Sequence, residues 1–237
     1  MEKHLFDDQS PAAIAGRLEN IEKHLPYASK DSIYRYIKSV YGRRIEAYRK
    51  KHKRRKRKRI RLSKLENRTF ISKRPKIIDN RGQTGHTEAD FIVSGKTGKG
   101  ALLVVVCRKL RIVFLEKITK TTIKNVHLAF QSIKKRFPEM RTVTTDNDIL
   151  LQKHKELEKE IKVKIYFCHP YHAWEKGAVE NINFHIRKYI PKGSDISKYS
   201  KLFIKKVEDK LNRRILECLG YLTPAEALRK YRQTKKR

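Results

Sequence analysis

Asp90, Asp146 and Glu180 are the side chains of this 237-residue sequence whose settings call most for a chemical explanation. Asp90 lies in His86-Thr87-Glu88-Ala89-Asp90-Phe91-Ile92-Val93, where it interrupts an apolar, strand-like run. Asp146 closes a second such run, Val143-Thr144-Thr145, and Glu180 falls in a helical segment that carries few other acids. A carboxylate at the end of a buried strand is costly unless positive charge stands against it. Carboxylate oxygens are also the ligands that magnesium prefers. Two such ions about 3.5–4 Å apart can activate a water or a 3′ hydroxyl and stabilise the departing oxygen when a phosphodiester is cut. In that arrangement Asp90 would bridge both ions, Asp146 would hold one and Glu180 the other. Mg2+ is the expected ion, with Mn2+ able to substitute. Taken singly, each acid reads better as a strand-end cap (Asp90, Asp146) or an exposed helix residue (Glu180). Only their joint placement favours the metal.

The charge balance points to the partner. Lys and Arg number 59 against 25 Asp and Glu, a formal charge of +34. Such a field attracts polyanions and releases their counterions on binding. A membrane-surface protein would need an amphipathic helix with a lipid-facing side or an acylation site, and neither is seen. The longest apolar run, Ala101 to Cys107, is far short of the roughly 18–20 residues of a membrane span. Met1-Glu2-Lys3-His4 does not read as a signal peptide. Cys107, Cys168 and Cys218 are odd in number and widely spaced, and are expected to be reduced core thiols. Nucleic acid is the expected partner, with no membrane association, and the cytoplasm is the expected location.

The elements that must position the acids follow from the pattern. Ser10-Pro11 starts a helix with Ile14 and Leu18 on one face, and Ser29-Lys30-Asp31-Ser32 starts a second with Ile33, Ile37 and Val40 inward. With a tight joint this is a helix-turn-helix, with Ser32, Arg35 and Lys38 projecting to DNA. An ordinary helical hairpin is the plainer alternative. From Lys50 to Arg59 every residue is basic, so Lys50, Lys51, Lys53, Arg54, Arg55, Lys56, Arg57, Lys58 and Arg59 form an arm that is both a linker and a grip on phosphates. The expected divisions are 1–42 for the helix-turn-helix, 43–82 for the arm and 83–237 for the catalytic core with C-terminal helices.

Beyond Gly82 the pattern predicts strands at 88–93, 101–107 and 112–118 as an antiparallel meander. A helix follows at 122–137, a strand at 141–145, a helix at 154–161 and a strand at 164–168. The last helices are expected at 174–189, at 204–219 and after Thr223. Three strands, helix, strand, helix, strand, helix is the ribonuclease H-like succession. It implies an α/β fold with a mixed five-stranded sheet and flanking helices, preceded by the small helical region. Asp90 then lies on the first strand, Asp146 at the end of its neighbour, and Glu180 on the helix that can cross both. Asn183 and Arg187, one and two turns past Glu180, could meet DNA beside the metals, and Asn147 could orient a water or a phosphate. Glu88 shares a strand face with Asp90 and is expected to tune the site or pair with a basic neighbour. Asp148 is a decoy, and Cys168, His169 and His172 lack a second ligand pair for zinc. Trp174 and Tyr171 could stack on a base, but a Trp that opens a helix is expected to be packed. The glycines of 95–100 lack the spacing of a nucleotide-binding loop.

These motifs together resemble the DDE transposases of the insertion-sequence thirty family, within the ribonuclease H-like integrase superfamily. The likeness runs through His86 to Asp90, Thr144 to Asn147, Tyr166 to Asn183, Arg187 to Gly193 and Leu219 to Glu226. Asp146 and Glu180 are separated by 33 intervening residues, the separation this family uses. The resemblance implies that Asp90, Asp146 and Glu180 are a catalytic triad. It further implies hydrolytic nicking at the terminal inverted repeats of an element, then attack of the freed 3′ hydroxyl on target DNA, by a homo-oligomer assembled on DNA. The chain departs from the family after Asn147, where Asp148, Leu150 and Leu151 replace the usual Gly and Glu-Phe, and relatives carry a further helix-turn-helix ahead of Ser10. An inactive or truncated transposase-derived DNA-binding regulator is the alternative.

Overall fold

The structure, a computed structural model, describes residues 2–7, 9–50, 67–95, 98–170 and 172–235. Lys51, Lys53, Arg54, Arg55, Lys56, Arg57, Lys58 and Arg59 of the basic arm lie outside the described residues, as does Tyr171; of Lys50 only the backbone is described. In chain order the helices are α1 (Glu2–Phe6), α2 (Pro11–Asn20), α3 (Lys30–Lys38), α4 (Arg43–Lys50) and α5 (Lys76–Asp79). Then come β1 (His86–Val93), β2 (Ala101–Cys107), β3 (Val113–Ile118), α6 (Ile123–Arg136), β4 (Thr142–Thr145), α7 (His154–Ile161) and β5 (Lys164–Phe167). The chain ends with α8 (Gly177–Ile186), α9 (Lys201–Asn212) and α10 (Pro224–Thr234). Contacts divide it into two compact units, Met1–Arg59 with Asn212–Arg237, and Ile60–Leu211. These units are drawn by packing and differ from the three functional segments expected along the chain.

In the first unit, Ser10 caps α2 by accepting from the Ala13 amide at 3.1 Å, and Ser29 caps α3 through the Ser32 amide at 3.2 Å. Leu5, Ile14, Ala15, Ile33, Ile37 and Ile45 form its small core. Ser32, Arg35 and Lys38 are exposed on α3. Val40 is not on the buried face: α3 has already ended, and Val40 is 69% exposed. The connection between α2 and α3, residues 21–29, is longer than the tight joint expected. The helix expected at 204–219 stops at Asn212, beyond which the Ile215 amide donates to Gln9 Oε1 at 2.7 Å. Cys218 is exposed rather than a core thiol, whereas Cys107 and Cys168 are buried.

Thr223 and Glu226 form a capping box on α10, and Arg17 reaches both Glu226 oxygens at 3.1 and 3.0 Å. The Arg17 hydrogen bonds hold the Glu226 carboxyl at about 2, against an ordinary 4.5. A depressed carboxyl contributes stability that is complete above pH 4.5 and is lost as pH falls toward 2. Because Glu226 is partly exposed, solvent screening limits the term to about 1 kcal/mol. Denaturant titrations between pH 7 and pH 2 should show this acid loss in the native chain, and Arg17→Gln should flatten it.

The second unit is built on a five-stranded sheet in the order β3-β2-β1-β4-β5. β1, β2 and β3 form the expected antiparallel meander, and β4 and β5 run parallel to β1. Every residue of β2 is buried, because helices cover both faces of the sheet. On one face Ile92, Val104 and Leu115 pack with Val179, Ile182 and Ile186 of α8 and with Ile204 and Val207 of α9. On the other, Phe91 meets Phe130 of α6 edge-on at 6.3 Å and Phe114 stacks near Phe137. The segment expected as one helix over 174–189 begins instead as a short 3-10 turn, Ala173–Lys176, and turns α-helical at Gly177.

Candidate active site

Strand register brings the first two acids together. Glu88 of β1 lies opposite Thr144 of the parallel strand β4, so two residues further along Asp90 comes level with Asp146. Adjacent strands are about 4.8 Å apart. Residues two apart on a strand share a face, so Glu88 and Asp90 point the same way as Ile92, toward α8. The third element is anchored by the first of them. Glu88 Oε2 accepts the amides of Ala178 and Val179 at 2.9 and 3.0 Å, and Oε1 accepts from Arg108 at 3.1 Å. A buried carboxylate thus satisfies the free amides and positive end of a helix N-terminus and fixes where α8 begins.

Between the acids stands a cation that belongs to the chain. Lys176, its side chain only 6% exposed, places Nζ 3.1 Å from Asp90 Oδ1 and 3.1 Å from Asp146 Oδ2. Asn183 donates its amide to the other Asp90 oxygen. Asp146 Oδ1 and Asn183 Oδ1 are buried and have no hydrogen-bond partner. Buried acceptors without donors are rare in folded proteins and suit a bound cation. Oxygen donors of this kind match a hard divalent ion. Among the described residues, no three His, Cys, Asp or Glu side chains are gathered tightly enough to form a complete metal cluster.

Glu180 stands on α8 one turn before Asn183, exposed. Its carboxyl is pushed up from the ordinary range, first by partial burial and then by the negative charges of Asp90, Glu88 and Asp146, against the pull of Lys176. Asp90 is likewise raised by burial and by Asp146, with Lys176 opposing. Burial disfavours the Lys176 ammonium, but the two carboxylates outweigh it and hold it charged. The acids therefore share one electrostatic site, with Asp90 and Asp146 joined through Lys176 and Glu180 beside them.

The remaining residues singled out by sequence take specific places. Asn147 is buried, accepting from Arg68 and donating to the Cys168 carbonyl at 2.9 Å, so it ties the ends of β4 and β5 together. Asp148 caps the short turn Ile149–Leu151, and Leu151 is buried there. Arg187 ends α8 and reaches the Pro191 carbonyl at 3.4 Å. His169 pairs with Glu175 at 2.9 Å and stacks on Phe70, and the Cys168 thiol is pushed up to about 12 by burial. Trp174 is not packed: it is 72% exposed. Sequence reasoning missed Lys176 altogether. Its position four residues before Glu180, one helical turn away, was the available signal.

No family model matches the chain. The transposase for insertion sequence element IS4351 of Bacteroides fragilis is 39% identical over 228 residues, covering 92% of this chain and 68% of the relative. The transposase of IS1086 from Cupriavidus metallidurans is 33% identical over 160 residues, 67% of this chain and 47% of the relative. The InsI transposase of IS30A from Escherichia coli is 32% identical over 166 residues, 69% of this chain and 43% of the relative. The chain thus spans about two-thirds of the first and less than half of the other two. Among solved structures, the catalytic core domain of BIV integrase superposes with a TM-score of 0.51 at 18% identity, covering 65% of this chain and all of that domain. That likeness establishes the ribonuclease H-like fold. Among the described residues, no helix is long and apolar enough to cross a membrane. By its identity to these relatives, the chain belongs to the insertion-sequence thirty family of DNA transposases.

Proposed function

We propose that this chain nicks DNA at the terminal inverted repeats of its element and joins the freed 3′ hydroxyl to target DNA, with Asp90, Asp146 and Glu180 as the metal-holding carboxylates. The observation that carries the reading is the convergence of Asp90 and Asp146 on a single cation, the Lys176 ammonium, beside buried oxygens that lack donors. A divalent ion, Mg2+ or Mn2+, would supply Lewis acidity to the phosphoryl group and lower the pKa of the attacking hydroxyl. Asn183 orients the Asp90 carboxylate, and Glu88 holds α8, and with it Glu180, against β1. Arg187, the exposed Ser32, Arg35 and Lys38 of α3, and the arm from Lys50 to Arg59 would bind DNA, positioning the strand without chemistry of their own. On this reading residues 1–42 recognise the repeats, 43–82 tether and grip, and 83–237 carry out the reaction, as a homo-oligomer on DNA. A nicking and joining assay on the element's ends, with and without Mg2+, tests it. No product with either Mg2+ or Mn2+ would sink it.

A DNA-binding regulator without catalysis is the second reading, and the buried lysine between the acids is what favours it. Lys176→Met separates the two. If Lys176 is a counter-ion that a divalent ion displaces, the variant should lose about 2 kcal/mol without metal, since two neighbouring carboxylates are left uncompensated but Asp146 is half-exposed. That corresponds to a fall in Tm of about 4–8 °C in EDTA. Millimolar Mg2+ should restore most of it. Thermal unfolding with no recovery on adding Mg2+ or Mn2+ would support a fixed ion pair and the regulator.

A further inference from the structure

A row of planar side chains borders the candidate active site and ends in solvent. Arg68, which donates to Asn147 next to Asp146, lies over the Phe70 ring at 5.1 Å. Phe70 stacks on His169, with centroids 5.5 Å apart and planes within 4°. His169 meets His172 edge-on at 5.5 Å, and His172 meets Trp174 edge-on at 4.5 Å. Trp174 is 72% exposed, on the same 3-10 turn as Lys176, whose ammonium touches Asp90 and Asp146. With a rise of about 2 Å per residue in such a turn, the Trp174 backbone lies about 4 Å along the axis from that of Lys176. The row thus leaves the Asp146 loop at Arg68 and returns to the acids through Lys176.

A large exposed indole beside a functional site calls for an occupant. The +34 charge of the chain selects a polyanion, and the phosphate to be cut must lie at Asp90 and Asp146 on the reading above. We propose that Trp174, braced by His172, is a stacking platform for a nucleobase unpaired from the DNA strand next to the scissile phosphate. Bases within a duplex have both faces covered by their neighbours, so the platform can engage only a frayed or single-stranded position. Every base offers a π-face, so the contact tolerates any sequence and selects for local opening of the DNA end. His172, itself met by His169, braces the indole and leaves it 72% exposed. This inference rests on the active-site assignment for its location, not for its chemistry.

Trp174 is the single tryptophan of the chain, so its fluorescence reports on the platform alone. The full chain is titrated in EDTA with three labelled probes: a blunt duplex, the same duplex with a three-nucleotide single-stranded tail, and that duplex with an abasic tail of equal charge. The expected result is indole quenching by the base-bearing tail only, and affinity at least about 5-fold above the abasic tail, the effect of one stacked base. Trp174→Ala should abolish the preference and Trp174→Phe should keep most of it, with thermal unfolding confirming that both variants fold. Equal affinity for base-bearing and abasic tails, or a preference that survives Trp174→Ala, would overturn the platform. Because no divalent ion is present, that outcome is independent of strand transfer, which is measured separately with Asp90→Asn.

Discussion

Asp90→Asn should lower strand transfer by at least about 10³-fold while DNA affinity stays within about twofold of the native chain. The substitution keeps the size of the side chain and an oxygen that can still accept from Asn183. What it removes is one negative charge at the point where β1 comes level with the end of β4. A cation held there loses an anionic ligand, and stabilisation of about 4 kcal/mol at the transition state corresponds to that rate loss. Affinity should not follow, because it is set by basic residues spread over a chain of charge +34, and the variant is more positive by one. The two readouts are joining of a labelled element end in Mg2+ and fluorescence anisotropy of the same DNA in EDTA. Equal joining by the variant would remove Asp90 from the chemistry. A parallel loss of affinity would mean instead that the substitution had damaged the fold.

Features that depend on local pattern were legible in the sequence. The unbroken apolar run Ala101–Cys107 became the buried strand β2, and α7 spans the residues its periodicity marked. Capping residues marked the starts of α2, α3 and α10 correctly, because a cap is written in three or four adjacent residues. The order of strands and helices was enough to place the acids on adjacent strands and a crossing helix. The losses came where a distant residue decides the local outcome. α8 starts at Gly177 rather than Trp174 because Glu88, 90 residues before Ala178, takes its first amides. Lys176 is buried only because two carboxylates from separate strands meet it, and no window of sequence around Lys176 contains them. Val40 fitted the apolar face of α3 by spacing, yet α3 had ended two residues earlier.

Glu88→Gln should be the most destabilising conservative change in the second unit, and it should damage catalysis without touching the reacting groups. Glu88 is 2% exposed and satisfies three donors at once: Arg108 Nε and the amides of Ala178 and Val179. A glutamine can accept through one oxygen only, so either the guanidinium or the start of α8 loses its partner. Arg108 is itself buried and keeps the Ile78 carbonyl at 2.6 Å, with Asp79 at 3.8 Å as a weak, half-exposed counter-charge. Breaking a buried pair on one side costs about 3–5 kcal/mol, and Asp79 holds the expected figure near about 3 kcal/mol. For a unit of this size that is a fall in Tm of about 6–12 °C. The second consequence follows from the helix. With its N-terminus released, α8 no longer holds Glu180 and Asn183 against Asp90, and displacement of a supporting group by about 1 Å costs on the order of 10²-fold in rate. The loss should appear in kcat, with affinity for DNA in EDTA unchanged, and raising Mg2+ should not restore it. Glu88→Asp should fail in the same way, since the shorter side chain cannot span both the helix amides and Arg108. A variant at this position that unfolds at the native temperature and joins DNA at the native rate would show that α8 is held by its apolar face alone, through Val179, Ile182 and Ile186.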